Sequence, residues 1–541
     1  MKSLKHALLA LTLAASTALG AGIRHDAEQA ILLDQHGAVW KAQDEQIDAE
    51  LAALARANGR RPNIIHIMWD DTSLGEVGIP ELNKVLGFDT PHINALADGG
   101  MAFTRMYTEP SCTPTRTAAL TGRLSVRAGM YKVGFPPEGG GLHQDEVTIA
   151  EVLSEVGYST GFVGKAHQGD IEQAYMHKQG FDYANFSLYN QFPFMTWNPQ
   201  AAVAGRVNGL FPFQWDKEHV LDKGFRPFGY VNQVEGRKGG EAREFMGPPS
   251  AEGYKKMMRE HQRLALEFVR DQAEGDAPFY LAYWPHMADP MVPPDQLTSN
   301  ASTWWAYSME QLDRDIGELL ALLDELDIAE NTLVIAMADN GPMHELAPDG
   351  PHEVIFAGYK SDHREGGIRV PAFAQWKGVI EAGQVVNDMI TVHDLFTTFA
   401  RLGGALKHVP RDRVVDGVDQ TALLMQGSGH SRRDYYHVYT GDVLAASIKQ
   451  QFKRDWTNDR PGLAGSDFYD LYRDVREEHG DLPPYLWAWL AFDHMKERHQ
   501  KQIDEHPHRP YTRGRPYEGI SELREDAERL ADRLVRYNLK D

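Results

Sequence analysis

The chain has 541 residues with 55 basic and 77 acidic side chains, a formal net charge of -22, and one cysteine. That length exceeds one small core and predicts a large domain with a smaller partner. With no basic run to release counterions from a phosphate backbone, nucleic acid is excluded as an expected partner, and the lone Cys112 cannot form an internal disulfide.

Residues 1–21 combine a short basic start (Lys2, Lys5), an apolar stretch from Ala7 to Leu13, and small residues Ala18 and Gly20 at cleavage spacing. This reads as a secretory signal peptide and predicts a periplasmic or secreted protein. The apolar stretch is shorter than the roughly 20 residues of a spanning helix. No later stretch is longer, so no membrane span is expected in the mature chain. Residues 22–60 read as an N-terminal helical extension: Ala27 to Ala57 carries Ile31, Leu32, Trp40, Ile47, Leu51 and Leu54 and stops at Asn58-Gly59.

From Asn63, short apolar runs alternate with longer helix-period segments. This is the pattern of an α/β fold with a large, mostly parallel sheet flanked by helices. It is assigned to residues 61–415, with helices over Thr148 to Val156 and Ser302 to Glu325; the latter places Met309, Leu312, Ile316, Leu319, Leu320 and Leu323 on one core face. Tyr189 to Tyr230, rich in Phe, Trp, Pro and Gly, reads as long irregular loops, either lining a substrate rim or packing their own aromatics. Residues 416–541 read as a smaller α+β domain with strands Tyr435 to Tyr439 and Val443 to Phe452. Its last helix carries Ile520, Leu523, Leu530 and Leu534 on one face.

Four predicted strands end in polar residues, where open parallel sheets place their sites. Ile64 to Trp69 runs into Asp70-Asp71, Gly161 to Gly164 into Lys165 and His167, Phe279 to Trp284 into Pro285-His286, and Thr332 to Ala338 into Asp339-Asn340-Gly341. A single aspartate pair reads equally as helix caps. Together, three carboxylates and an amide oxygen form an all-oxygen set suited to a hard cation, Ca2+ by preference and Mg2+ as the alternative. Lys165, His167 and His286 near such an ion would serve an anionic substrate. Cys112 stands at a helix start, with Ser111 or Thr113 as cap and Pro114 in the first turn, where free N–H groups favour a bound anion; a small buried turn residue is the plainer alternative.

Cys112-Thr113-Pro114-Thr115-Arg116 with Leu120-Thr121-Gly122-Arg123 resembles the signature of the sulfatase family, Cys-x-Pro-x-Arg followed by Thr-Gly-Arg. The resemblance runs from about Asn63 to Asp474. It takes in Asn63 to Asp71, Thr90-Pro91-His92-Ile93-Asn94-Ala95-Leu96-Ala97, Gly164-Lys165-Ala166-His167 and Ala338-Asp339-Asn340-Gly341. Lys360 before Glu365-Gly366-Gly367-Ile368-Arg369-Val370-Pro371, and Phe468-Tyr469-Asp470-Leu471, complete it. Pro285-His286-Met287-Ala288-Asp289-Pro290 departs from the commoner Pro-His-x-Pro spacing.

The resemblance implies an alkaline phosphatase/sulfatase-like fold and hydrolysis of a sulfate ester, on a small molecule or a saccharide, as in arylsulfatases. It also implies a formylglycine made from Cys112 by a formylglycine-generating maturation enzyme. Asp70, Asp71, Asp339, Asn340 and the modified side chain at 112 would bind the cation. Lys165, Lys360 and His286 would hold the sulfate, and Arg116 and His167 would position the hydrated aldehyde. The rival expectations are a phosphonate or phosphate monoester hydrolase of the same superfamily and a non-catalytic periplasmic binding protein.

Overall fold

The computed structural model describes residues 22–77, 79–134, 139–189, 233–244, 251–286, 304–343, 355–427, 429–457, 467–480 and 486–514. The signal-peptide segment, nearly all of the aromatic loops and the helix expected around Ile520 to Leu534 lie outside them.

Among the described residues, fifteen strands form two sheets. The large one contains β1 (Asn63–Trp69), β2 (Met101–Tyr107), β3 (Ser159–Lys165), β4 (Tyr183–Ser187), β5 (Val234–Arg237), β6 (Arg243–Glu244), β7 (Phe279–Trp284), β8 (Thr332–Ala338), β9 (Arg369–Gln375), β10 (Gln384–Val386) and β11 (Ile390–Thr391). Its order is β10-β2-β9-β8-β1-β7-β3-β4-β5-β6, with β11 also paired to β2. The central run β8-β1-β7-β3-β4 is wholly parallel. It is flanked by antiparallel pairings through β9 on one side and β5 and β6 on the other, so the sheet is mixed. β1, β7 and β8 are buried at every position, which explains why they read as largely apolar runs, broken in β1 by Asn63 and His66, rather than alternating ones.

The second sheet is antiparallel, β12 (Tyr435–Thr440), β13 (Val443–Lys449), β14 (Phe452–Asp455) and β15 (Phe468–Asp470) in that order. Here the expected strand Val443 to Phe452 is corrected to two, because Gln450 takes a left-handed φ of 54° and turns the chain back on itself. The expected helix Thr148 to Val156 is shorter, Ile149–Ser154, since Thr148 caps it and Glu151 closes a capping box. The helix expected from Ser302 is described from Trp304 to Glu325, with Met309, Leu312, Ile316, Leu319 and Leu323 buried and Leu320 partly so.

The N-terminal helix spans Ala27–Ala57 as expected, capped by Asp26 and ending at Asn58. It is more than an extension. Ile47 and Leu51 join the main core, whereas Leu32 joins Phe452, Phe468, Phe492 and Met495 under the small sheet. Its cap is latched to the helix Leu486–Glu505, which the sequence pattern does not announce: His499 Nδ1 lies 2.9 Å from Asp26 Oδ2, and Arg127 Nη2 3.2 Å from the same oxygen. His437 stacks on His499 at 3.9 Å with 25° between the planes. Asp26, His437 and His499 bring ligand atoms within 4.8 Å of one another. His437 Nδ1 is engaged with Ser447 Oγ (2.9 Å) and His499 Nε2 with the Tyr439 hydroxyl (2.7 Å), and Arg127 already occupies the carboxylate, so this is an ion-pair latch.

Burial alone would raise the Asp26 carboxyl pKa, but His499, His437 and Arg127 hold it well below the usual carboxylate range. A carboxylate depressed in the folded state contributes stability that is complete above its unfolded pKa of about 3.9 and is lost progressively as pH falls below that value toward the lower folded one. His437 is pushed well below the ordinary imidazole value by burial and by His499, so it weakens the fold as pH falls below about 6.5. Asp26→Asn is therefore expected to cost about 3 kcal/mol at pH 7. The deficit should shrink as pH falls below about 4, which unfolding followed against pH would check.

Candidate active site

Register decides which side chains meet. Trp69 pairs with Ala338, so the residues that follow, Asp70-Asp71 and Asp339-Asn340, emerge side by side. Ile67 pairs with Tyr283 and Gly164 with Trp284, which brings His286 and then Lys165 to the same edge. The five parallel strands thus deliver Asp339, Asp70, His286, Lys165 and Ser187 in spatial order. Gly164 has a φ of 123°, and a Cβ there would lie 1.9 Å from the Trp284 carbonyl oxygen, so only glycine lets β3 approach β7 here.

The helix Cys112–Thr121 points its first turn at this edge, with Ser111 in the cap position but making no side-chain cap bond. Cys112 is a buried free thiol. Thr117 donates to Gln168 at 2.8 Å, Gly134 N–H to Thr113 Oγ1 at 3.2 Å, and the Gly134 carbonyl lies 3.0 Å from His167 Nε2, binding the helix to the His167 turn. Arg116 is fully buried. It donates to Asp339 Oδ2 through Nε and Nη2 (3.1 and 2.9 Å), to Asp70 Oδ1 through Nη2 (2.7 Å) and to the Lys165 carbonyl through Nη1 (2.8 Å). It also lies over the Trp284 ring, 5.3 Å from its centroid. Lys165 Nζ meets Asp70 Oδ1 at 2.6 Å and Lys360 Nζ meets Asp71 Oδ1 at 2.5 Å. Cys112 is within electrostatic reach of Arg116 and Lys360.

Burial opposes the Asp70 charge, but Lys165 and Arg116 hold its carboxyl well below the usual range. Asp339 goes the other way, raised by burial with Asp70 and Asp71 close by, despite Arg116 and Lys165. Lys360 is held above its ordinary value because Asp71, Cys112 and Asp339 outweigh the burial cost. His167 is pushed well below its ordinary value by burial and Lys165, and His286 by burial although Asp70 pulls it up; both rings are neutral. Asp71 and His167 have positive φ (49° and 54°), backbone strain concentrated at the cluster.

The donor set fits a hard divalent cation. Asn340 Nδ2 donates to Asp71 Oδ1 (2.8 Å), yet buried Asn340 Oδ1 receives no hydrogen bond. A ligand role is the natural account of that oxygen. Three carboxylates face three cationic heads, so a divalent ion would leave the pocket net positive, complementary to an anionic group. All ten residues singled out in the sequence therefore lie at one edge, with His286 joined through its Nε2 to Ser187 Oγ. Sequence reasoning missed Ser187. It ends β4, and the strand-end rule that found Lys165 would have found it had Tyr183–Ser187 been read as a strand.

The family model for sulfatases matches residues 62–405. N-acetylgalactosamine-6-sulfatase of Mus musculus is 31% identical over 80% of this chain and 81% of its own. Arylsulfatase A of Homo sapiens is 33% identical over 73% of this chain and 74% of its own. Among solved structures, the PsFucS1 sulfatase from Pseudoalteromonas sp. superposes with a TM-score of 0.77 at 28% identity, covering 87% of this chain and 96% of that one.

Proposed function

This chain belongs to the sulfatase family and is a sulfatase enzyme, and from that premise we propose that it cleaves sulfate monoesters through a formylglycine made from Cys112 and a cation held by Asp70, Asp71, Asp339 and Asn340. The observation that carries the reading is the buried meeting of these oxygens, one of them without a donor, with the Cys112 helix start. We take Ca2+ as the ion, with Mg2+ as the alternative, since the donors are all hard oxygens. The hydrated aldehyde would supply a nucleophilic hydroxyl and a second one for releasing sulfate, and the cation would supply charge at the sulfuryl oxygens.

The chain's own residues do the rest. Lys165 and Lys360 bind the anionic group, and Lys360 stays charged because Asp71 holds its proton. Asp339, whose carboxyl is pushed up, accepts the proton of the attacking hydroxyl, and Arg116 orients it together with Asp70. His286, neutral and steadied by Ser187, offers its ring N–H to the departing alcohol oxygen. His167 is neutral and takes the proton from the second hydroxyl when sulfate leaves.

No described helix is long and apolar enough to cross a membrane. The secretory signal pattern of residues 1–21 supports a periplasmic or secreted enzyme. An N-acetylgalactosamine 6-sulfate and an aryl sulfate, the esters suggested by the names of the relatives, are the first substrates to try.

The test is to express the protein with a formylglycine-generating enzyme and weigh the tryptic peptide Met106 to Arg116. A peptide lightened by exchange of thiol for aldehyde, with sulfate ester hydrolysis that a chelator abolishes and Ca2+ restores, is the expected result. A peptide that stays thiol while a control sulfatase in the same cells is converted overturns the mechanism and favours the binding-protein alternative. Faster cleavage of an aryl phosphonate than of an aryl sulfate would favour the phosphonate hydrolase.

A further inference from the structure

Lys360 is the cationic head of the site that comes from a loop, whereas Lys165 ends a strand and Arg116 lies in the Cys112–Thr121 helix. It sits at the apex of a segment, residues 355–368, that ends in the short helix Glu365–Ile368 and holds itself through Gly366 N–H to the Ala357 carbonyl (2.7 Å), Gly367 N–H to that of Arg364 (2.9 Å), Asp362 N–H to that of Tyr359 (2.9 Å) and Arg364 N–H to Asp362 Oδ1 (3.0 Å). Toward the large domain the apex is tied at two points, Lys360 N–H to the Pro342 carbonyl (2.9 Å) and Ser361 N–H to the Pro110 carbonyl (2.6 Å), two residues before Cys112. Ser361 takes a left-handed φ of 71° to do so. The loop is also packed too closely for any side chain at Gly366, where a Cβ would lie 2.5 Å from the Gly358 carbonyl oxygen.

Its outgoing arm is tied to the large sheet by Gly341 N–H to the Gly367 carbonyl (3.0 Å) and Thr108 N–H to that of Ile368 (2.8 Å), and both arms are also gripped by residues of the small sheet and the turn that follows it. On the incoming arm, Arg476 Nη1 reaches the Phe356 carbonyl at 3.3 Å. On the outgoing arm, Lys453 of β14 donates to the His363 carbonyl (2.8 Å) and pairs with Glu365 (3.4 Å), while Asp455 of the same strand meets His363 Nε2 at 2.8 Å. Glu477 completes the grip: one oxygen accepts from Glu365 N–H at 2.6 Å and the other pairs with Lys453 at 2.8 Å. Lys453 and Glu365 are fully buried and Glu477 nearly so. Glu365 is also paired with Arg369 (3.3 Å) and accepts from the Tyr107 hydroxyl (2.8 Å), and a buried ionic cluster of this kind is costly to assemble. Glu477 also holds a positive φ of 54°, the same kind of strain seen at Asp71, His167 and Ser361. A buried charged cluster with a strained backbone, away from the reacting atoms, is unexplained by packing alone.

We propose that Lys453 and Glu477 are positioning residues that clamp the loop 355–368 and so hold the Lys360 ammonium at Asp71, making the small sheet a working part of the active site. The inference rests on the reading of Lys360 as a sulfate-binding residue. The clamp explains why the apex is fixed well enough to place one ammonium, since a misplacement of about 1 Å at such a group costs up to roughly 100-fold in rate.

The experiment is a double-mutant cycle on the matured, Ca2+-loaded enzyme with an aryl sulfate, joining Lys453→Met with Lys360→Ala. Lys453→Met is expected to lower kcat/KM roughly 10- to 100-fold in the parent and to change the Lys360→Ala enzyme by no more than about 3-fold. Lys453→Arg should recover most of the loss, and amide exchange in the peptide covering 355–368 should quicken in Lys453→Met alone. Additive losses, or a loss without faster exchange in that peptide, overturn the clamp while leaving Lys360 in the site. If Lys360→Ala loses nothing, the role of Lys360 falls and the clamp with it. Should Lys453→Met fail to fold, Glu477→Gln, which keeps an acceptor for Glu365 N–H, carries the same cycle with the same opposed outcomes.

Discussion

Cys112→Ser is expected to fold, to take up one sulfuryl group per active site, and then to stop. The side chain is buried at the start of a helix, and a serine is smaller and just as compatible with that position. Its hydroxyl can attack sulfur once: a new O–S bond forms, the ester O–S bond breaks, and the alcohol departs with the proton. Serine sulfate has no second hydroxyl to expel the group, so it persists. Sustained turnover should fall by on the order of 10^5-fold, as when a covalent nucleophile is lost. Meanwhile a stoichiometric burst of alcohol should appear, and the peptide 106–116 should gain the mass of one sulfuryl group. Continued turnover by the serine enzyme would sink the proposed mechanism, and so would an unmodified serine without a burst.

The second large effect is on stability. Arg116 serves Asp70, Asp339 and the Lys165 carbonyl at once from a fully buried position. Arg116→Met would remove one cation from among three carboxylates, and breaking a buried pair in this way costs about 3–5 kcal/mol. Arg116→Lys should restore little, because an ammonium cannot donate in the fixed fork that spans two carboxylates. Added Ca2+ should recover part of the lost unfolding midpoint, since a ligand that binds only the folded state stabilises it by mass action. A midpoint that is unmoved by the substitution, or by Ca2+ in the variant, would contradict both the charge count and the cation site.

Much of this centre is legible in the amino-acid sequence, and the reasons are local. Runs such as Phe279–Trp284 and Thr332–Ala338 are apolar throughout and end abruptly in Pro, Asp or Asn, so their bounds and their site residues can be read together. The Ala27–Ala57 helix is bounded by an acidic cap and an Asn-Gly stop. The failures are equally physical. One left-handed residue, Gln450, splits what reads as a single strand, and nothing in its identity requires that conformation. Ser187 is hidden because its strand is short and mixed in polarity. Lys453 and Glu477 carry no motif; their partners His363 and Glu365 lie some 90 and 112 residues away in sequence, and only the docking of the small sheet brings them together.

The latch between the Ala27–Ala57 and Leu486–Glu505 helices sets a clock on biogenesis. Asp26 cannot find His499 until nearly the whole chain has emerged, so the core that Leu32 shares with Phe492 and Met495 under the small sheet is incomplete until then. Roughly 400 residues separate Cys112 from His499, which at 5–20 residues per second amounts to roughly 20–80 s. During that interval the thiol that is buried in the finished enzyme is on an incomplete chain, open to the proposed oxidation.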